Sequence, residues 1–131
     1  MVERRFPREL GSLEPMAQFV ADYLGSRGFD PEHTFTVYLL VEELFTNMLR
    51  HGKGGGPNVS LRLGGEREEL VVTLQDFDVE SFDPTVPDRS SERALGSGGY
   101  GLRLVRRISD TIRYEYKERC AIITVTKRFT I

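Results

Sequence analysis

The most informative stretch of the chain is a mostly apolar run over residues 35–51, because its spacing predicts a helix that other elements enclose. Apolar side chains occupy most of the helical wheel: Phe35, Val37, Leu39, Leu40, Val41, Leu44, Phe45, Met48 and Leu49. Four polar residues of its second half follow at i, i+4, i+7 and i+8, which places them on one face: Glu43, Asn47, Arg50 and His51. A carboxylate, an amide, a guanidinium and an imidazole on one half-buried stripe are suited to bind a metal ion and phosphates.

Apolar residues at helical spacing predict two further helices. The first extends from Ser12, an N-cap candidate, to Gly25 or Gly28, and the central helix described above begins after Asp30 as its N-cap. Helical spacing returns over residues 100–109. Three helices are therefore expected.

Alternating and β-branched runs predict five strands. These runs cover residues 2–6, 58–63, 70–76, 111–116 and 121–129. Residues 77–98 are rich in Pro, Ser, Asp, Glu, Arg and Gly and lack periodicity, and a loop of that length in a compact domain is usually functional or mobile. We therefore predict a lid at 77–98.

The order of these elements predicts the fold class. Strand, helix, helix, strand, strand, lid, helix, strand and strand indicate an α+β fold, a two-layer sandwich with a mostly antiparallel mixed sheet and about three helices on one face. A chain of 131 residues is long enough for one domain and too short for two ordinary ones. We expect a single domain over residues 1–131.

The overall composition excludes several classes of protein. With 18 Lys plus Arg against 20 Asp plus Glu, the chain has no strong field, so direct nucleic-acid binding is not expected. It has neither an apolar membrane span nor a signal-peptide core, so we expect a cytoplasmic protein that does not bind membranes. The single cysteine, Cys120, excludes an internal disulfide and is expected to be buried.

A glycine run at residues 96–101 matches the G-x-G-x-x-G pattern of dinucleotide-binding folds, but its context does not. That pattern follows a strand directly within a βαβ unit, whereas here a long polar loop precedes it and a hairpin follows. Glycines before a helix still allow backbone N–H groups to approach phosphate oxygens closely. The candidate phosphate-binding residues are Gly98, Gly99, Tyr100, Gly101 and Leu102. The glycines alone do not exclude a simple lid hinge.

Asp76 ends a hydrophobic strand at the start of the predicted lid. A buried carboxylate there could accept a hydrogen bond from an exocyclic amine such as that of adenine. An aspartate that caps its own turn would give the same pattern.

Taken together, these motifs resemble a known superfamily. A Glu-x-x-x-Asn helix, an aspartate at the end of a later strand and a glycine-rich lid that enters another helix resemble the ATP-binding domain of histidine kinases, gyrase and the mismatch-repair ATPases. Within it, Glu-Leu-Phe-Thr-Asn-Met-Leu-Arg-His-Gly at 43–52 and Gly-Gly-Tyr-Gly-Leu-Arg-Leu-Val at 98–105 most resemble the bacterial anti-sigma-factor serine/threonine kinases.

The resemblance implies a role for each motif. Asn47 would hold the Mg²⁺ that bridges the ATP phosphates, Glu43 would be the general base towards a substrate serine, and Asp76 would bind the adenine amine. Arg50 and His51 would lie near the phosphates, and the glycine run would wrap them. Phosphoryl transfer needs mainly alignment and charge neutralisation, so these groups are sufficient.

The resemblance also implies the biological role. It predicts an anti-sigma factor that sequesters a sigma factor, phosphorylates a serine on an anti-anti-sigma antagonist and forms a homodimer. One alternative is a regulatory binding module of the same fold with impaired nucleotide binding or no catalysis. Another is a detached histidine-kinase catalytic domain.

One position departs from the family pattern. Where the family usually has Asp-x-Gly, this chain has Asp76-Phe77-Asp78. Asp78 lacks the conformational freedom of glycine and adds a negative charge near a polyanion. We therefore expect Asp78 to lie at the nucleotide and to weaken or alter its binding.

Overall fold

The computed structural model describes residues 1–51, 54–80 and 99–129, which form a sheet layer and a helix layer. The strands are β1 (Val2–Pro7), β2 (Asn58–Gly64), β3 (Glu69–Asp76), β4 (Thr111–Lys117) and β5 (Cys120–Arg128). The helices are α1 (Leu13–Ser26), α2 (Pro31–His51) and α3 (Gly99–Ile108), and a 3-10 turn, Leu10–Ser12, precedes α1. The predicted α+β architecture is confirmed.

The five strands form one sheet in the order β1-β2-β3-β5-β4. Every neighbouring pair is antiparallel. β3 lies at the centre, and its side chains alternate between half-buried and buried along its whole length, as expected of a strand with one face against the helices.

Both hairpins turn at residues with left-handed backbone conformations. Gly65 between β2 and β3 has φ 109°, and a side chain there would collide with the backbone of Glu69. Between β4 and β5, Glu118 and Arg119 have φ 52° and 61°, the pattern of a two-residue type I′ turn that suits the twist of the strands.

The N-cap predicted for α2 is present, whereas the side chain predicted to cap α1 bonds elsewhere. The Asp30 carboxylate accepts a hydrogen bond from the Glu32 N–H at 3.1 Å, as expected of the N-cap of α2. Ser12 occupies the N-cap position of α1, but its side chain makes no capping bond. Its hydroxyl donates to the Pro7 carbonyl oxygen instead, because the 3-10 turn brings it back against the end of β1.

α2 is the central helix of its layer. It packs against α1, α3 and β3, and its buried side chains form much of the core. The prediction of an enclosed helix is correct for most of its length but wrong at Phe35, which is 66% exposed near the N-terminus. Among the described residues, no helix is both long and apolar enough to span a bilayer.

Candidate functional site

The predicted polar stripe lies on the C-terminal half of α2. Asn47 is only 3% exposed and lies between apolar residues of the core, whereas Glu43, one turn earlier, is half-buried. Arg50 is exposed at the end of the stripe, and the side chain of His51 lies outside the described part of the structure. The helical period therefore places a buried amide beside a partly desolvated carboxylate.

The surroundings of Glu43 make its carboxyl group a better proton acceptor. Burial raises its pKa above the ordinary value for glutamate, and the neighbouring Glu42 carboxylate raises it further. The Arg50 guanidinium opposes these effects and lowers the pKa. Glu43 therefore has more affinity for a proton than a solvated glutamate has.

Asp76 is the last residue of β3 and is 1% exposed. It continues the alternation of Leu70, Val72 and Leu74, so its side chain points to the same face as theirs, towards the helix layer. The alternative that it caps its own turn is not what the structure shows, because both carboxylate oxygens accept hydrogen bonds from a side chain that is distant in sequence.

That side chain belongs to Arg8, a residue that the sequence did not single out. Its Nε lies 3.0 Å from Asp76 Oδ1 and one Nη lies 3.2 Å from Oδ2, a bidentate pair. The same Nη donates to the Met48 carbonyl oxygen at 3.0 Å. Met48 is in the last turn of α2, where carbonyl groups lack intrahelical partners. Arg8 thus connects the end of β1 to the end of β3 and to α2.

Strand register explains why Arg8 reaches this position. Phe6 pairs with Val59, and Val59 pairs with Asp76, so the three form one row across the sheet. Arg8 follows Phe6 by two residues and therefore leaves β1 at the end where Asp76 leaves β3. The position of Arg8 beside Asp76 depends on two strand pairings in the correct register, and no local pattern in the sequence indicates it.

Asp78 has a left-handed backbone conformation, which glycine adopts more readily than other residues. Its φ is 53°, in the left-handed region that aspartate tolerates better than most residues. The Asp78 carbonyl oxygen accepts from the Gly55 N–H at 2.7 Å, and the Phe77 carbonyl oxygen accepts from the Gly56 N–H at 2.8 Å. These two hydrogen bonds hold the backbone of Phe77 and Asp78 against Gly55 and Gly56, while the Asp78 side chain adds a charge at an exposed position.

The first residues of the predicted lid are fixed in place. Val79 is 1% exposed, and its N–H donates to the Arg119 carbonyl oxygen at 3.0 Å. The Tyr116 hydroxyl donates to the Val79 carbonyl oxygen at 2.7 Å. The remainder of the lid prediction, residues 81–98, lies outside the described residues, and Gly98 is among them.

The other glycine-run candidates begin α3. Gly99, Tyr100, Gly101 and Leu102 form its first turn, although their side chains are not described. α3 packs on α2, the helix that carries Glu43 and Asn47. The first backbone N–H groups of a helix have no intrahelical partner and favour an anion, so this turn suits phosphate oxygens.

The donor groups that are present fit a nucleotide-bridged magnesium ion better than a site built of protein ligands alone. Within the described residues, no group of three His, Cys, Asp or Glu side chains could hold a metal. Mg²⁺ commonly takes one or two protein oxygens and completes its shell with substrate phosphates and water. The buried Asn47 amide can supply one such oxygen.

A cavity of about 520 Å³ lies near the start of α2 and the end of β5, and His33 and Phe129 are among the residues that line it. It is about 15 Å along the helix from Glu43, because ten residues separate His33 from Glu43 at 1.5 Å per residue. It therefore lies outside the polar stripe.

Comparison with known proteins agrees with the fold. A family model described as the histidine kinase-like ATPase domain matches residues 6–127. The fold is similar to the histidine kinase domain of the blue-light activated histidine kinase of Erythrobacter litoralis EL346, with TM-score 0.56, 19% identity and 94% of this chain covered. It is also similar to the Acinetobacter baumannii histidine kinase AdeS, with TM-score 0.52, 12% identity and 98% covered. The chain spans 61% and 68% of those two chains, respectively. No curated protein matches the sequence.

Proposed function

The chain belongs to the histidine kinase-like ATPase family, and from that premise we propose that it is an anti-sigma factor that binds Mg-ATP and phosphorylates a serine on an antagonist protein. The observation that carries the proposal is the grouping of three polar residues at one end of the fold. Buried Asn47 and half-buried Glu43 lie on α2, and buried Asp76 ends the adjoining β3.

Two of these residues would bind the nucleotide. Asp76 accepts the exocyclic amine of adenine, and its direction is fixed because its strand places it towards the helix layer. Asn47 provides an amide oxygen to Mg²⁺, and the first turn of α3 offers backbone N–H groups to the phosphates. Bound magnesium would neutralise charge on the phosphoryl group as it transfers.

Glu43 would act as the general base. It accepts the proton of the substrate serine hydroxyl as that oxygen attacks the γ-phosphorus and the bond from phosphorus to the bridging oxygen of ADP breaks. Its raised pKa suits this role, because a base is most effective when its pKa approaches the working pH. Arg50 limits the rise and keeps the carboxylate available.

The conformation of Asp78 supports retained nucleotide binding. Its φ of 53° lies in the left-handed region that glycine adopts readily, so Asp78 has a backbone conformation that is open to the glycine it replaces. The charge of Asp78 opposes that of the phosphates, which is the feature that favours a non-catalytic regulatory module as a second candidate.

The partners follow from the motif resemblance of residues 43–52 and 98–105. A sigma factor would be sequestered by direct contact, and an anti-anti-sigma antagonist would be the phosphate acceptor. We expect the protein to act as a homodimer, which light scattering of the purified protein would test.

The decisive experiment measures nucleotide binding and phosphate transfer separately. Calorimetry with Mg-ATP should show binding, and thermal stabilisation should follow the ligand concentration, by about 2.7 kcal/mol at one hundred times Kd. Incubation with Mg-ATP and an antagonist domain should then give phosphoserine, detected by mass spectrometry. Either binding without transfer or no binding at all would favour the regulatory module over the kinase.

A third candidate is suggested by the two similar structures, both described as histidine kinases. In that case the phosphate acceptor is a histidine of a partner protein. Phosphohistidine is labile in acid and phosphoserine is not, so acid treatment of the labelled product separates the two candidates.

A further inference from the structure

We propose that Arg8 positions Asp76 as the acceptor for the 6-amino group of adenine and thereby sets the base preference of the site. This inference rests on the proposed binding of ATP. It assigns to the segment after β1 a role in specificity that the polar stripe of α2 does not supply.

The ion pair between Arg8 and Asp76 holds the carboxylate in one orientation. Arg8 donates to both oxygens of Asp76, at 3.0 and 3.2 Å, and the two side chains are 14% and 2% exposed. A carboxylate has about four lone-pair sites, so a fork that uses two of them leaves two for another donor. The fork also fixes the plane of the carboxylate, because the guanidinium is planar and rigid.

The Arg8 guanidinium is itself held on other sides. One Nη donates to the Met48 carbonyl oxygen at 3.0 Å, which connects Arg8 to the last turn of the helix that carries Asn47. Gly55 lies over the guanidinium so closely that a Cβ there would come within 2.7 Å of Arg8 Cζ. Arg8 therefore has little freedom to reorient.

These contacts have a consequence for base recognition. A carboxylate paired with a permanent cation is an acceptor and not a donor, so it accepts from the amine at position 6 of adenine. A purine without that amine cannot donate a hydrogen bond to the Asp76 carboxylate. A site built around a hydrogen bond binds a ligand that lacks the donor less tightly. Only a carboxylate held in one orientation can do so efficiently.

The test compares Mg-ATP with Mg-purine riboside triphosphate, which lacks only the 6-amino group. Calorimetric Kd values are measured for the full chain and for Arg8→Lys, which keeps the charge but cannot form the fork. The unsubstituted protein should prefer ATP by about 10- to 100-fold, the effect of one unmet buried hydrogen bond. In Arg8→Lys most of that preference should be lost. Arg4→Gln, at an exposed position of β1, should keep it.

A second variant tests the same contact without changing Arg8. Gly55→Ala should displace the guanidinium and lower the ATP preference, because its Cβ would collide with that group. Gly28→Ala is the matched control, since Gly28 also has a positive φ but no atom within 4 Å of an added Cβ. Circular dichroism establishes that each variant is folded.

The outcomes separate this inference from the proposed function. If the unsubstituted protein binds no Mg-ATP, both are wrong. If it binds ATP with a clear preference that Arg8→Lys and Gly55→Ala leave unchanged, only the role of Arg8 is wrong. An equal loss of affinity for both nucleotides would indicate a merely structural ion pair, and tighter ATP binding by Arg8→Lys would indicate that Arg8 competes with the base. Each of these results overturns the proposal.

Discussion

Asp76 and Glu43 are two buried or half-buried carboxylates in the same protein, and their surroundings suit them to opposite tasks. Asp76 is enclosed and paired with an arginine through both oxygens. Glu43 is less enclosed, has a second carboxylate as a neighbour, and has a raised pKa. A carboxylate with a bidentate cation is suited to remain a fixed acceptor, whereas one that is desolvated beside a like charge is suited to exchange protons.

The largest effect is expected on the rate of phosphorylation when Glu43 is made neutral. Glu43→Gln should slow phosphorylation of the antagonist by about 10²- to 10⁴-fold, because the amide cannot accept the serine proton. Mg-ATP binding should persist, since the phosphates are assigned to other groups. Rapid-quench assays measure the rate, and calorimetry measures the binding.

Glu42→Gln is the matched control for that change, because it removes a carboxylate from the adjacent position. It should leave the rate at neutral pH almost unchanged. A Glu43→Gln variant that is as active as Glu42→Gln would contradict the assignment of the base.

The next largest effect concerns the paired carboxylate. Arg8→Ala should lower the free energy of unfolding by about 3–5 kcal/mol, because it leaves the buried Asp76 without its cation. Denaturant unfolding measures this loss. Arg4→Ala, whose guanidinium lies over the Phe6 ring at an exposed position, should cost no more than about 1 kcal/mol.

A double variant tests the same ion pair by replacing both of its side chains. Arg8→Met with Asp76→Leu should recover most of the lost stability, because apolar residues can replace a buried ion pair. It should not recover recognition of adenine. A small loss in Arg8→Ala alone would indicate that Asp76 does not depend on this partner.

A smaller effect is expected at Asp78. Asp78→Gly should relieve the left-handed backbone and raise the free energy of unfolding by at most about 1 kcal/mol. It should also tighten Mg-ATP binding, by about fivefold if one charge is removed at about 4 Å in water. Glu118→Gly has a matching φ, 52° against 53°, in the β4–β5 turn and should change stability without changing affinity. Equal affinities in the two variants would contradict a nucleotide contact at Asp78.

The smallest effect is a shift in pH dependence. Phosphate transfer should rise with pH as Glu43 ionises, with its midpoint above the ordinary glutamate pKa. Glu42→Gln should move the midpoint to lower pH, and Arg50→Gln should move it to higher pH, because they remove charges with opposite effects on Glu43. The pH profile of kcat/KM measures both. Shifts in the same direction would contradict the electrostatic account.

The same pKa has a consequence for stability. Because the pKa of Glu43 is higher in the folded than in the unfolded chain, the folded state binds more protons between the two values. The contribution of Glu43 to stability is therefore fully present below the unfolded pKa and is lost as pH rises through the folded pKa. Glu43→Gln should remove this component from the pH dependence of unfolding.

The helices, the strands and the polar stripe of α2 follow from local patterns in the sequence. Helical spacing and alternation are local properties, so they located the three helices and five strands of the described residues to within a few positions. The i, i+4 relation between Glu43 and Asn47 is likewise set by the helical repeat. Asp30 indicated where α2 begins, because an N-cap is a contact between residues that are close in sequence.

The pairing of the polar residues depends on the tertiary structure. Arg8 and Asp76 are 68 positions apart and meet only because β1, β2 and β3 pair in register, which local spacing does not encode. The conformation of Asp78 likewise depends on contacts with the segment at 54–56. Neither the partner of Asp76 nor the burial of Glu43 follows from local sequence, because both depend on which elements pack together.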